Sequence, residues 1–230
     1  MTAARVWLAY AGVVDVDLVA NAADLDMVAM ATELGAHGAC IRSNFITPAL
    51  QFDVRADLDQ AHAAGQFSRA GTGQADQHLV RDDIRRDEVY WPEQATANHV
   101  QAQLWAMTAA LMQVFNRTLY LGLIEFEGHY AAYSPGGFYR RHVDSFARSD
   151  ARMVSLILYL NRDWQIPDGG QLRMHDYGNS ASNELGAPSH LDIDPIGGTL
   201  VCFLSREIEH EVLATHAARY SFTGWFKTAP

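Results

Sequence analysis

Tyr130-Ala131-Ala132-Tyr133-Ser134-Pro135-Gly136-Gly137-Phe138-Tyr139-Arg140-Arg141-His142-Val143-Asp144 sets the texture of the second half of this chain. A short apolar run, a Ser-Pro-Gly-Gly turn and a second short run read as two strands joined by a turn. The same grammar extends outward over 120–127, 153–160, 171–174, 199–203, 207–213 and 220–227. Pro167-Asp168-Gly169-Gly170 and Pro195-Ile196-Gly197-Gly198 supply further separators. Many short strands with turn signals between them predict a jelly-roll sandwich or barrel. Upstream the period changes. Residues 18–34 carry Leu18, Leu25, Val28 and the run 30–34 at roughly helical spacing. A second helix is expected from Pro48 to about Ala64, stopped by Gly65. A third is expected over 95–116, where Leu104, Met107, Leu111, Met112 and Phe115 form a core-facing stripe. The run 84–91 adds a strand before that helix. The expected class is α+β: supporting helices over about 1–116 and a jelly-roll core over about 117–227. With no linker-like segment between them, a single domain over 1–230 is expected. The polar stretch 177–194 reads as a long loop.

Composition bounds the partners. The 230 residues fit one ordinary domain, and a net charge of -10 argues against a nucleic-acid partner, whose phosphates are held mainly by Lys and Arg. A local basic patch around Arg140, Arg141, Arg148 and Arg152 stays open. Cys40 and Cys202 sit in apolar stretches and read as free buried thiols of a reducing compartment. The amino terminus shows no signal-peptide pattern, and no stretch approaches the ~18 apolar residues of a membrane helix. A soluble, cytoplasmic protein without a membrane partner is expected.

Alternate residues of a strand face one side, so His142 and Asp144 project together while Val143 turns away. One imidazole and one carboxylate make two adjacent metal ligands. His210, in Glu207-Ile208-Glu209-His210-Glu211-Val212 after the strand 199–203, offers the second imidazole. Two histidines and one carboxylate leave three positions open on a metal, the pattern suited to ferrous oxygenases. Taken alone, His-x-Asp is weak evidence in a chain with ten histidines, and reads first as a surface histidine beside an acid. Nine residues after His210, Arg219 opens a segment in which Arg219, Ser221, Thr223 and Trp225 share one face and Tyr220, Phe222 and Phe226 the other. A guanidinium on a polar inner face suggests an anion site, since arginine holds a carboxylate through two parallel hydrogen bonds. A solvated strand would show the same alternation.

In this order the motifs resemble the iron(II)- and 2-oxoglutarate-dependent double-stranded β-helix oxygenases, and within them the prolyl hydroxylase domain branch. That branch includes the oxygen-sensing enzymes of animals and bacterial relatives that hydroxylate a proline of elongation factor Tu. The likeness covers most of 84–227: Ile84-Arg85-Arg86-Asp87 with Trp91, the stretch from Tyr133 to Asp144, Leu158-Tyr159-Leu160-Asn161 with Trp164, Asp168-Gly169-Gly170-Gln171-Leu172, Phe203-Leu204-Ser205 with His210-Glu211-Val212, and Arg219 to Phe226. The resemblance makes His142, Asp144 and His210 the iron ligands. It places Arg219 and the Tyr159 hydroxyl at the distal carboxylate of 2-oxoglutarate, Tyr133 near its metal-binding end, and Leu172 and Thr223 along its pocket. Tyr139 and Trp225 would flank the substrate proline. Arg152 and Asp87 match a pair that, in the family, joins the approach to the site by an ion pair. The segment 92–98 falls where the family carries a substrate-covering loop, without a matching motif.

The implied activity is hydroxylation of a prolyl residue presented on a loop of a protein, consuming 2-oxoglutarate and O2 at Fe(2+) and releasing succinate and CO2. The same chemistry on a free amino acid or other small molecule is the alternative. A non-catalytic cupin-like binding barrel is a third reading, disfavoured by the intact ligand set with Arg219. Nucleic-acid demethylation shares the fold but conflicts with the acidic balance.

Overall fold

The computed structural model describes residues 16–71, 80–144, 151–175 and 190–229. Three helices come first: α1 (Val16–His37), α2 (Pro48–Ala63) and α3 (His99–Leu119). Thr47 caps α2 through its side chain, Pro48 occupies the first turn, and Leu50, Val54, Leu58 and Ala61 form its buried stripe. In α1 the buried face is Met30, Ala31 and Leu34, whereas Leu25, off that period, is exposed. In α3 the expected stripe of Leu104, Met107, Leu111 and Phe115 is buried. Each such side chain contributes about 1.5–3 kcal/mol relative to exposure.

The helix begins four residues later than expected because Asn98 accepts from the Val100 and Gln101 amides while the Gln101 side chain accepts from the Asn98 amide, a capping box. The residues before it form a 3-10 turn, Gln94–Thr96, behind the buried Pro92. The segment 92–98 is thus tied to the helix start. Asp57 of α2 fastens this corner, accepting from Asn98 Nδ2, Gln101 Nε2 and the Tyr130 hydroxyl.

The strands are β1 (Ala39–Arg42), β2 (Ser68–Arg69), β3 (Glu88–Tyr90), β4 (Glu125–Tyr133), β5 (Tyr139–His142), β6 (Arg152–Tyr159), β7 (Leu172–His175), β8 (His190–Ile193), β9 (Leu200–Leu204), β10 (His210–Val212) and β11 (Arg219–Lys227). Among the described residues they make two antiparallel sheets, ordered β1-β9-β6-β11-β4-β3-β2 and β5-β10-β7-β8. One face of the larger sheet packs on the helices, through Tyr130, Leu156, Leu158, Phe222 and Phe226. The other face meets the smaller sheet through Tyr133, Tyr159, Leu172, Met174 and Phe203. This is the expected α+β double-stranded β-helix with supporting helices.

Three differences from the sequence reading have physical causes. The runs 120–127 and 130–133 are not two strands. Tyr120 ends α3 in the left-handed conformation, and β4 runs unbroken from Glu125 through Gly128. Gly128 faces Gly224 across the β4–β11 ladder, and a Cβ at either would collide with Phe126; at Gly224 it would also strike the Glu127 carbonyl. That glycine pair makes room for aromatic packing; it is not a turn. Gly224→Val is therefore expected to overpack the central sheet by about 2–3 kcal/mol and lower the thermal midpoint by about 5–10 °C. Circular dichroism melts check this, and an unchanged midpoint would overturn the packing argument. Second, the stretch 177–194 ends in the strand β8, whose four residues gain structure by pairing with β7; residues 176–189 lie outside the described residues. Third, β1 is a strand because it pairs with β9, which sets Cys40 opposite Cys202, both free and buried. Among the described residues no helix is long and apolar enough to cross a membrane.

Candidate active site

The smaller sheet brings the two imidazoles together. β10 pairs with β5 in a register that sets His210 directly opposite His142, with ring centroids 4.3 Å apart. In each ring Nδ1 faces a backbone oxygen two residues earlier: Arg140 at 2.7 Å and Ile208 at 3.0 Å. A carbonyl only accepts, so each Nδ1 carries the proton and each Nε2 keeps its lone pair. Those Nε2 atoms converge on one carboxylate. His142 Nε2 lies 3.4 Å from Asp144 Oδ1, and His210 Nε2 lies 3.7 Å from Asp144 Oδ2. The three residues offer ligand atoms within 4.8 Å of one another and form the one such cluster found among the described residues.

Asp144 itself lies two residues past the end of β5, so strand alternation alone does not aim it. Its Oδ2 accepts from Ser155 Oγ at 2.6 Å. Burial alone would raise the Asp144 carboxyl, but His210, His142 and Ser155 outweigh it and hold the group well below the usual carboxylate range. Burial pushes the His210 imidazole down to about 4. At neutral pH an ionised Asp144 and a neutral His210 are the forms that bind a metal.

From these ligands a cavity of about 450 Å³ runs to Arg219, lined on the way by Tyr133, Leu172 and Thr223. Arg219 begins β11 opposite Tyr133 and is 2% exposed. Its Nε donates to the Gly170 carbonyl at 2.8 Å, whereas Nη2 is buried with no hydrogen-bond partner. Gly170 is required there, since its φ is 75° and a Cβ would press on Arg219 Cδ and Thr215. Tyr159 does not line the cavity. It is fully buried beside Arg219, whose guanidinium sits 5.1 Å from its ring centroid. Its hydroxyl also lacks a partner; burial pushes it up to about 12 against the pull of the Arg219 charge. Two unpartnered donors at one buried spot imply an absent acceptor, because such groups are costly to bury unpaired.

The mouth is aromatic. Tyr139 stacks on His142 with centroids 3.7 Å apart, so it steadies a candidate ligand as well as lining the cavity. Trp225 is 8% exposed and stacks with Trp91 at 6.3 Å; both line the cavity. His129 lies against both tryptophans, and burial together with the Arg85 and Arg152 charges pushes it down to about 3. His129 belongs to no motif read above, and Trp91 entered only within the family likeness, with no role attached. The alternation 127, 129, 131, 133 along β4, on the face that carries Tyr133, is the signal that would have found His129.

The expected ion pair between Arg152 and Asp87 is not formed. Asp87 is taken by Arg85, two residues away, through two hydrogen bonds of 2.7 and 2.6 Å. Arg85 in turn lies 4.3 Å from the Tyr139 ring centroid. Arg152 lies 3.6 Å from the Trp225 ring centroid and pairs with Glu127, which faces Trp225 across the ladder. A forked arginine and a carboxylate two residues apart, just ahead of β3, need no long reach, so local pairing wins. Of the basic residues named above, Arg141 pairs with Glu209 and Arg152 with Glu127, Arg140 donates to the Asp83 carbonyl, and Arg148 lies outside the described residues.

Two antiparallel sheets closed around a His-Asp-His cluster, with a buried arginine across the cavity, define the class of ferrous β-helix oxygenases. Residues 128–227 match the model of the 2OG-Fe(II) oxygenase superfamily. A Pseudomonas putida prolyl-4-hydroxylase superposes with a TM-score of 0.76 at 38% identity, covering 88% of this chain and 99% of that one. A Trichoplax adhaerens prolyl hydroxylase, solved with a hypoxia inducible factor peptide fragment, gives 0.75 at 25% identity and covers 94% of each chain. The human Egl nine homolog 1 is 29% identical over 198 residues, which is 83% of this chain but 44% of that protein, so the chain spans under half of its length. The chain belongs to the 2OG-Fe(II) oxygenases, in their prolyl hydroxylase-like branch, a family that uses Fe(2+), 2-oxoglutarate and O2.

Proposed function

We propose that this protein hydroxylates a proline within a protein segment, with His142, Asp144 and His210 holding iron(II) and Arg219 holding 2-oxoglutarate. The observation that carries the reading is the shared cavity: three metal-binding side chains lie in it, together with a buried guanidinium that has an unused donor. When bound, iron(II) with 2-oxoglutarate and O2 supplies the oxidant that inserts oxygen into a C–H bond, leaving succinate and CO2. Everything else is positioning by the chain. Arg219 Nη2 and the Tyr159 hydroxyl donate to the distal carboxylate of the cosubstrate. Leu172 and Thr223 line its channel, and Tyr133 stands at its metal-proximal end. Tyr139, Trp91 and Trp225 form an aromatic mouth suited to a proline ring, as aromatic-lined grooves are for proline-bearing peptides. Likeness to the two prolyl hydroxylases supports a peptidyl substrate over a free amino acid.

The test is mass spectrometry of candidate proteins, elongation factor Tu first, after incubation with iron(II) and 2-oxoglutarate. A gain of one oxygen on a proline, absent with His142→Ala, is expected. Unmodified proteins together with brisk turnover on a free amino acid would overturn the peptidyl reading. Trp225→Ala is expected to cut hydroxylated product per succinate by about tenfold, the worth of one aromatic contact, while succinate formed without substrate holds steady. Parallel loss of both quantities would show that Trp225 supports the metal or cosubstrate, not the substrate.

A further inference from the structure

The β5–β10 ladder sets the two imidazoles, yet it stops at His142 and leaves Asp144 to be held by other means. The His142 and His210 Nε2 atoms lie 3.4 and 3.7 Å from the carboxylate oxygens, longer than an ordinary hydrogen bond. The hydrogen bond that holds it comes from Ser155 Oγ, 2.6 Å from Oδ2. Ser155 Oγ in turn lies 2.8 Å from Ser205 Oγ. An ionised carboxylate only accepts, which fixes the direction: Ser205 donates to Ser155, and Ser155 donates to Asp144. Both serines are fully buried, so water does not compete, and aligned hydroxyls polarise one another.

Ser205 also holds Asp144 from the other end. Its carbonyl accepts from the Asp144 amide at 3.1 Å, and its own amide donates to the Met153 carbonyl at 3.1 Å, one strand position from Val154. Ser155 sits in β6 between Phe203 of β9 and Trp225 of β11. The larger sheet and the residue that follows β9 therefore set Asp144, which lies just beyond the end of β5. We infer that Ser155 and Ser205 are positioning residues, a buried hydroxyl relay that orients the Asp144 carboxylate for metal binding. This rests on the metal reading proposed above.

The test uses the full chain and Mn(II) as a paramagnetic stand-in for iron(II), titrated by the electron paramagnetic resonance signal of the free ion. Thermal midpoints of the metal-free variants are recorded alongside. Ser155→Ala is expected to weaken Mn(II) binding by about 10–100-fold, the usual cost of losing a group that orients a ligand, with the metal-free midpoint within a few degrees of wild type. Ser205→Ala is expected to weaken it less, by about threefold, because Ser155 keeps its own bond to the carboxylate. The double variant should bind no worse than Ser155→Ala, since the Ser205 hydroxyl acts through Ser155; a merely structural pair would give additive losses. Wild-type Mn(II) affinity in Ser155→Ala, or additive losses in the double variant, would overturn the relay. Should Ser155→Ala fail to fold, unchanged affinity in Ser205→Ala would overturn it equally. If the unaltered chain shows no single Mn(II) site removed by His142→Ala, the metal reading itself falls and this inference with it.

Discussion

Asp144→Ala is expected to lower succinate formation from 2-oxoglutarate by more than ~100-fold, beyond the loss typical of a group that only supports a ligand. The carboxylate is the single anionic ligand in the cluster, and the imidazoles it faces at 3.4 and 3.7 Å cannot replace its charge. The metal-free protein should tolerate the change. Asp144 lies at the edge of the smaller sheet, and what it leaves behind is a Ser155 hydroxyl that still has Ser205 as a partner. Metal affinity and turnover should collapse together while the thermal midpoint of the metal-free protein barely moves. Turnover at the wild-type rate would sink the assignment of the metal centre.

Arg219→Ala acts at the opposite end of the cavity and should separate cosubstrate from metal. Losing a buried, charge-assisted partner costs about 2–5 kcal/mol, so the KM for 2-oxoglutarate is expected to rise by roughly 100-fold or more while Mn(II) affinity stays within about threefold of wild type. Arg219→Lys keeps the charge and loses the fork, and should fall between the two. The substitution frees the Gly170 carbonyl and removes a guanidinium with an unpaired nitrogen, two effects of opposite sign on stability. Equal losses of metal and cosubstrate affinity would count against the proposed role.

The helices were legible because their apolar spacing is long and their caps are local: Thr47-Pro48 starts α2, and the stripe from Leu104 to Phe115 has one face to bury. The β core was legible as a class, since short runs and Gly/Pro turns repeat whatever the pairing. Strand limits were less so. Gly128 looks like a break until its partner Gly224 and the rings of Phe126 and Phe222 are in place. β1 and β8 are too short to show a period, and exist because β9 and β7 offer them hydrogen bonds.

At the site the division is similar. His142, Asp144, His210 and Arg219 could be nominated from residue type, spacing and family likeness, because metal ligation and carboxylate binding demand particular side chains. Their convergence depends on the β5–β10 register and on the Gly170 carbonyl, which join segments far apart in the chain. The partners of charged groups were the least readable. The family likeness matched Arg152 with Asp87; the fold set Glu127 beside Arg152 and gave Asp87 to Arg85. Ser155, in an otherwise apolar run, carries no motif, and Ser205 entered only within the Phe203-Leu204-Ser205 part of the family likeness, with no role attached. Composition and periodicity, being local, determined the class of fold and the chemistry on offer. Pairing register, a nonlocal property, decided which of those groups meet and which neighbour holds Asp144 in place.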